Sequence, residues 1–179
     1  MTVKNQLPDI ERVAIHQAGH AVAQALVGRG RFEVSHVSLI GDHDCSWRGV
    51  PAVGTATIDR EALLGLYEFG LVTLAGIAAE ERFQAEQEPE EEPLVAISDL
   101  TEWQEQAWQV LQDEAHIRLV SLNVMRKLQE WFTDENTWQV VDNIAQELLE
   151  NEAAQGERLK SLLAPLNAPV HATPQQNPD

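Results

Sequence analysis

Apolar residues recur along most of this chain at a spacing near 3.6, and the exception is one short region in the first third. Ile10, Val13, Ala14, Ala18, Ala21, Val22 and Ala25 follow Pro8 and Asp9. They predict an amphipathic helix with Asp9 as its N-cap, ending near Gly28-Arg29-Gly30. From Phe32 to Ile40 (Val34, Val37, Leu39, Ile40), and again from Val53 to Ile58 (Thr55, Thr57), the pattern predicts two or three short strands with turn residues between them. Helical spacing returns from Arg60 to about Ala85. The run Glu86 to Pro93, with four further acidic or proline-flanked glutamates and two prolines, interrupts it as a solvated loop. Ser98-Asp99 then caps a helix bearing Leu100, Trp103, Ala107, Val110 and Leu111. Helical spacing continues through Trp131 and again to about Glu150, and Gly156 precedes a last short helix, Glu157 to Ala164. The fold class is mainly α (α+β), with a small β-sheet near the N-terminal third and no internal repeat.

A chain of 179 residues suits a single core. Residues 1–165 are expected to form one domain. From Pro165 onward, with Pro169, Pro174, Gln175, Gln176 and Pro178, residues 166–179 offer too little apolar surface to join it and are expected to form a disordered tail. Ala62 to Ala79 imitates a membrane span. Glu68 argues against insertion, because a carboxylate near the middle of an inserted helix costs about 2.5–3.5 kcal/mol. A helix buried in a bundle accounts for the same residues.

Charge narrows the partners. With 12 Lys plus Arg against 29 Asp plus Glu, the net charge is -17, and such a surface repels phosphate backbones and anionic headgroups. Nucleic acid is therefore not an expected partner, nor is direct membrane insertion. The single cysteine, Cys45, can form no intramolecular disulfide, and no apolar leader follows Met1, so a cytoplasmic location is expected. A phosphate-cradling G-x-x-x-x-G-K-[ST] loop does not occur in the sequence.

The residues that carry chemistry are His16-Gln17-Ala18-Gly19-His20 in the first helix. Histidines at i and i+4 project from one face, one turn apart, and their imidazoles can share a metal ion. In H-E-x-x-H zinc hydrolases the glutamate after the first histidine takes the proton from water; here that position is Gln17. Glu80 and Glu81 follow a helix of small residues and can either orient a histidine or mark an exposed helix end. Asp42-His43-Asp44-Cys45 offers ligand types too, but consecutive residues in a turn rarely converge on one ion. Trp103, Trp108, Trp131 and Trp138 lie in helical segments, where packing is the default role and a substrate groove the alternative.

The segment ERVAIHQAGHAV resembles the ExxAxHEAGHAxV signature of the peptidase domain of FtsH-type zinc proteases. Further segments are similar to that family in the same order. Val34 to Ile40 resembles the strand after the signature helix, Leu74 to Glu81 resembles its LxGxxAEE helix, Ile97-Ser98-Asp99-Leu100 resembles its SND-L segment, and Ala145 to Leu163 resembles its closing helices. The resemblance runs from about Ile10 to Leu163. It departs at Gln17, at the acidic loop, in a shorter connection after Trp108, and in lacking the ATPase module.

The resemblance implies a helical zincin-like peptidase fold with zinc as cofactor, held by His16, His20 and Asp99, with Gln17 at the place of the general base. It implies a metallopeptidase-like protein, weakly active or inactive, that meets unfolded or extended polypeptide. The alternative is a non-catalytic peptide-binding or regulatory module acting with a true FtsH-type protease. The family forms rings, which leaves an oligomer open for this chain, although ring formation there draws on the ATPase.

Overall fold

The computed structural model describes residues 10–28, 34, 36–39, 60–86 and 97–167. The elements in chain order are α1 (Ile10–Gly28), β1 (His36–Ser38), α2 (Arg60–Thr73), α3 (Ala75–Ala85), α4 (Ile97–Leu111), α5 (Glu114–Thr133), α6 (Glu135–Asn151), β2 (Ala153–Gln155) and α7 (Gly156–Leu163), followed by a 3-10 turn at Ala164–Asn167. The fold is mainly α with a small antiparallel sheet.

Helix α1 is buried almost all round, polar residues included, as befits a helix with apolar or small residues on every side. It packs chiefly on α6 and α3, and also on α2. The approach to α3 is very close because small residues line both sides: Ala75, Gly76, Ala78 and Ala79 on α3, and Ala18 and Gly19 on α1 are all buried. A Cβ on Gly19 would lie 2.6 Å from the Ala79 Cβ and 2.9 Å from the Ala75 carbonyl oxygen. The two helices run antiparallel, and the Arg12 guanidinium donates to the Gln84 side-chain oxygen at 2.8 Å at the far end of the interface.

The outer helices are delimited by their caps. Asp113 accepts from the Ala115 amide at 2.8 Å to start α5, and Asp134 accepts from the Thr137 amide at 2.9 Å to start α6. Trp103 of α4 is fully buried, its indole N–H donating to the Ser121 hydroxyl at 2.8 Å, while its ring lies against Gly70 of α2. Trp131 and Trp138 pack against the core, and Trp108 is exposed.

Two sequence expectations change. The run Arg60 to Ala85 is two helices, broken at Leu74, whose backbone is still near-helical (φ -91, ψ -3). No helix among the described residues is long and apolar enough to cross a membrane. The strand β1 pairs not with a neighbour in sequence but with β2, in the register His36↔Gln155, Val37↔Ala154 and Ser38↔Ala153. The sheet therefore joins the N-terminal third to the C-terminal region, with Val37 and Ala154 turned into the core. At the C-terminal end the 3-10 turn Ala164–Asn167 brings Leu166 against the core. Val53 to Ile58, Asp42 to Cys45, the acidic loop beyond Glu86 and the chain after Asn167 lie outside the described residues.

Replacing Gly19 by alanine sets two effects against each other. Helix propensity favours alanine by about 1 kcal/mol, but the new methyl would meet a backbone carbonyl that cannot swing aside. The clash should dominate, giving a net destabilisation of about 1–2 kcal/mol. Thermal unfolding measures it, and a raised midpoint for Gly19→Ala would contradict the close packing of α1 on α3.

Candidate metal centre

Two helices bring the centre together. His16 and His20 sit one turn apart on α1, and Asp99 lies in the first turn of α4, where the helix dipole favours a carboxylate. Asp99 is therefore inside the helix rather than its N-cap. The His16 Nε2 lies 3.0 Å from the His20 Nε2 and 3.0 Å from Asp99 Oδ2, and the His20 Nε2 lies 3.1 Å from the same oxygen. The two rings meet edge to face, with centroids 4.6 Å apart. All three residues are only 7% exposed.

The remaining contacts settle which atoms face the centre. The His20 Nδ1 lies 2.7 Å from the Val72 carbonyl oxygen. A carbonyl only accepts, so Nδ1 donates to it and Nε2 is the nitrogen that faces the centre. Val72 is free to accept because the break at Leu74 leaves it among the last carbonyls of α2, which have no partner within the helix. The His16 Nδ1 faces Glu80 Oε2 at 3.8 Å, and that buried oxygen makes no hydrogen bond. A backbone carbonyl behind one histidine and a carboxylate behind the other is the usual support for metal-bound imidazoles.

Gly76 is the seat of His16. A Cβ there would fall within 2.6 Å of the ring's Nδ1, so only glycine lets the imidazole lie flat on α3. Gly76 figured in the sequence reading only as the glycine of the LxGxxAEE-like segment, with no role at the centre, and the Val72 carbonyl did not figure at all. A glycine inside a helical run is a signal of close approach and could have pointed to the first; a main-chain oxygen leaves no signal in the sequence.

The donor set fits a metal ion. Tetrahedral zinc with bonds of about 2.0–2.1 Å holds its ligand atoms roughly 3.3–3.4 Å apart, slightly wider than the triangle here. Among the described residues His16, His20 and Asp99 are the group able to hold an ion, and no fourth imidazole, thiol or carboxylate joins them. Three lone-pair-bearing atoms this close require a positive charge between them. Without a metal, a proton supplies it: burial pulls the His16 pKa down, but Asp99 and then Glu80 outweigh this and push it up to about 9. Burial likewise raises the Asp99 carboxyl, yet hydrogen bonds from His16 and His20 hold it well below the usual carboxylate range.

Of the other expected site residues, Gln17, which follows His16 on α1, is buried. Glu81, next to Glu80 but about 100° round the helix, is exposed and takes no part in the centre. The fold and the site define a mainly helical protein with a buried His-His-Asp group that can hold a metal ion. No protein-family profile and no curated protein sequence matches the chain.

The raised His16 pKa has a signed consequence. In the metal-free protein the His16–Asp99 attraction stabilises the fold fully below about 6.5 and is lost as pH rises through about 9, while the part carried by Asp99 is lost only in acid. A metal ion must displace the His16 proton to bind. Metal uptake near neutral pH should therefore release about one proton, and apparent affinity should climb about tenfold per pH unit until pH 9. Calorimetric titration in buffers of different ionisation enthalpy measures that proton; a buffer-independent heat would show that His16 is already neutral.

Proposed function

We propose that this chain is a zinc-binding relative of the FtsH-type peptidase domain in which hydrolysis is disabled or weak, because Gln17 stands where the general base belongs. The observation that carries the proposal is the convergence of His16, His20 and Asp99 on one point, with inward-facing atoms 3.0–3.1 Å apart. Asp99 is distant in sequence from the histidines, and the resemblance named it as their partner. Val72 and Glu80 behind the two imidazoles support the same reading.

Two imidazoles and one carboxylate leave a coordination position for water or substrate, the pattern of catalytic rather than structural zinc. A zinc ion there supplies Lewis acidity to water and to a substrate carbonyl. What the chain must add is a proton acceptor that later returns the proton to the leaving amine. Glutamine cannot do so, and losing such a group costs roughly 10²–10⁴ in rate. Gln17 is not a ligand, so metal binding survives its chemistry. Glu80 is buried against the outer nitrogen of His16, a place suited to orienting that ring.

Extended or unfolded polypeptide is the substrate class this reading implies. A second reading follows from Gln17 itself: a site that binds zinc and polypeptide without cleaving is a binding or regulatory module, working beside an active protease that supplies ATP-driven unfolding. The first test is elemental analysis. One zinc per chain is expected, and His16→Ala or His20→Ala proteins that kept the full metal content would refute the ligand set. Iron in its place would redirect the chemistry toward the two-histidine, one-carboxylate oxygenases.

The decisive variant is Gln17→Glu, which changes charge while hardly changing size. It should create cleavage of casein that chelator and His20→Ala both abolish, whereas the parent gives at least about a hundredfold less. If Gln17→Glu binds zinc and cleaves no unfolded substrate, the binding-module reading stands and the peptidase reading falls.

A further inference from the structure

A cleft of about 490 Å³ opens between α3, α4 and α5. Its walls include Ile77 and Glu81, each the immediate neighbour of a residue that contacts His16, so the cleft uses a face of α3 rotated about 100° from the metal centre. Leu74, Ile77, Leu100, Trp103, Ile117 and Met125 make it predominantly apolar. Its volume is in the range of small-ligand sites, which are concave, apolar and supplied with a few polar groups.

The polar groups decide what it would hold. The Ser121 hydroxyl is committed, accepting from Trp103 at 2.8 Å and donating to the Ile117 carbonyl at 2.7 Å. The charged side chains are Glu81, Glu114 and Arg118, two negative and one positive, which leaves the cleft with one net negative charge. The cleft wall withdraws the Glu81 carboxyl from part of its water and raises its pKa, while a hydrogen bond from Gln129 opposes the rise. A chain of net charge -17 also concentrates cations at its surface and disfavours anions.

We propose that this cleft binds a protonated amine carried on an aromatic or branched apolar body. The apolar body lies against the wall of Trp103, Ile77 and Met125, and the ammonium neutralises the excess carboxylate of Glu81 and Glu114. Two sources share this chemistry: a free hydrophobic amine, and the amino terminus of a peptide that begins with a large apolar residue. Neither requires an ion at the His16–His20–Asp99 centre, so the proposal stands or falls apart from the zinc reading.

Calorimetric titration of the full chain in EDTA with 2-phenylethylamine, 2-phenylethanol and 3-phenylpropionate tests it. The amine should bind one to one, the alcohol about tenfold more weakly, and the anion more weakly still. Glu81→Gln and Glu114→Gln should each weaken amine binding about three- to tenfold, and Arg118→Gln should strengthen it by a similar factor. All three side chains are exposed, so circular dichroism is expected to show unchanged folds. Phe-Leu amide and its N-acetylated form separate the sources: tighter binding of the free peptide than of the amine identifies a peptide terminus, and binding of the amine alone identifies a small molecule. Equal binding of amine and alcohol, weaker amine binding by Arg118→Gln, or no amine binding at millimolar concentration would overturn the proposal.

Discussion

Helix α1 can support this centre only because it lies almost in van der Waals contact with the backbone of α3. Gly19 is pressed to the Ala75 carbonyl, and Gly76 accepts the His16 ring on its bare Cα. That contact sets how deep both histidines sit, and through them where a carboxylate from α4 must arrive. Interiors pack at crystal-like density, so a single methyl in the seam is felt throughout it. The polar cluster survives in a dry interior because every charge in it has an opposing or hydrogen-bonding neighbour: Asp99 for His16, Val72 for His20, His16 for Glu80.

The centre and the cleft divide α3 between them. Residues at Gly76 and Glu80 serve the histidines, while Ile77 and Glu81, one step further round, serve the cleft. The paired glutamates show how a rotation of about 100° assigns opposite environments to adjacent carboxylates: one is buried against an imidazole, the other stands at the mouth of an apolar cavity. A feature as slight as the helix break at Leu74 has a similar reach, since it frees the carbonyl that fixes the proton position on His20.

How much of this could be read in the sequence depended on whether the signal was local. The histidine pair was legible because i, i+4 spacing is itself the geometry. Asp99 was legible only through the family resemblance, since a partner 79 residues away leaves no pattern in between. The split of Arg60 to Ala85 into two helices was not legible, because Thr73-Leu74-Ala75 holds neither proline nor glycine and tertiary packing decides the break. The strand β2 was hidden for a related reason. Ala153, Ala154 and Gln155 have little strand preference of their own and are extended because β1 is there to pair with them.

That pairing ties distant parts of the chain into one loop, with Ser38 and Glu152 in contact across 114 residues. Closing so long a loop carries an entropic cost that no local contact refunds in advance. Helix α1 is in the same position, for its back is covered by α6, almost as far downstream. The helical hairpins can form early, since their contacts are local. The burial of α1, and with it the drying of the His16–His20–Asp99 cluster, must wait until the C-terminal helices have been made. The histidines would thus spend synthesis within reach of water, and of any ion dissolved in it, and be sealed only as the fold completes.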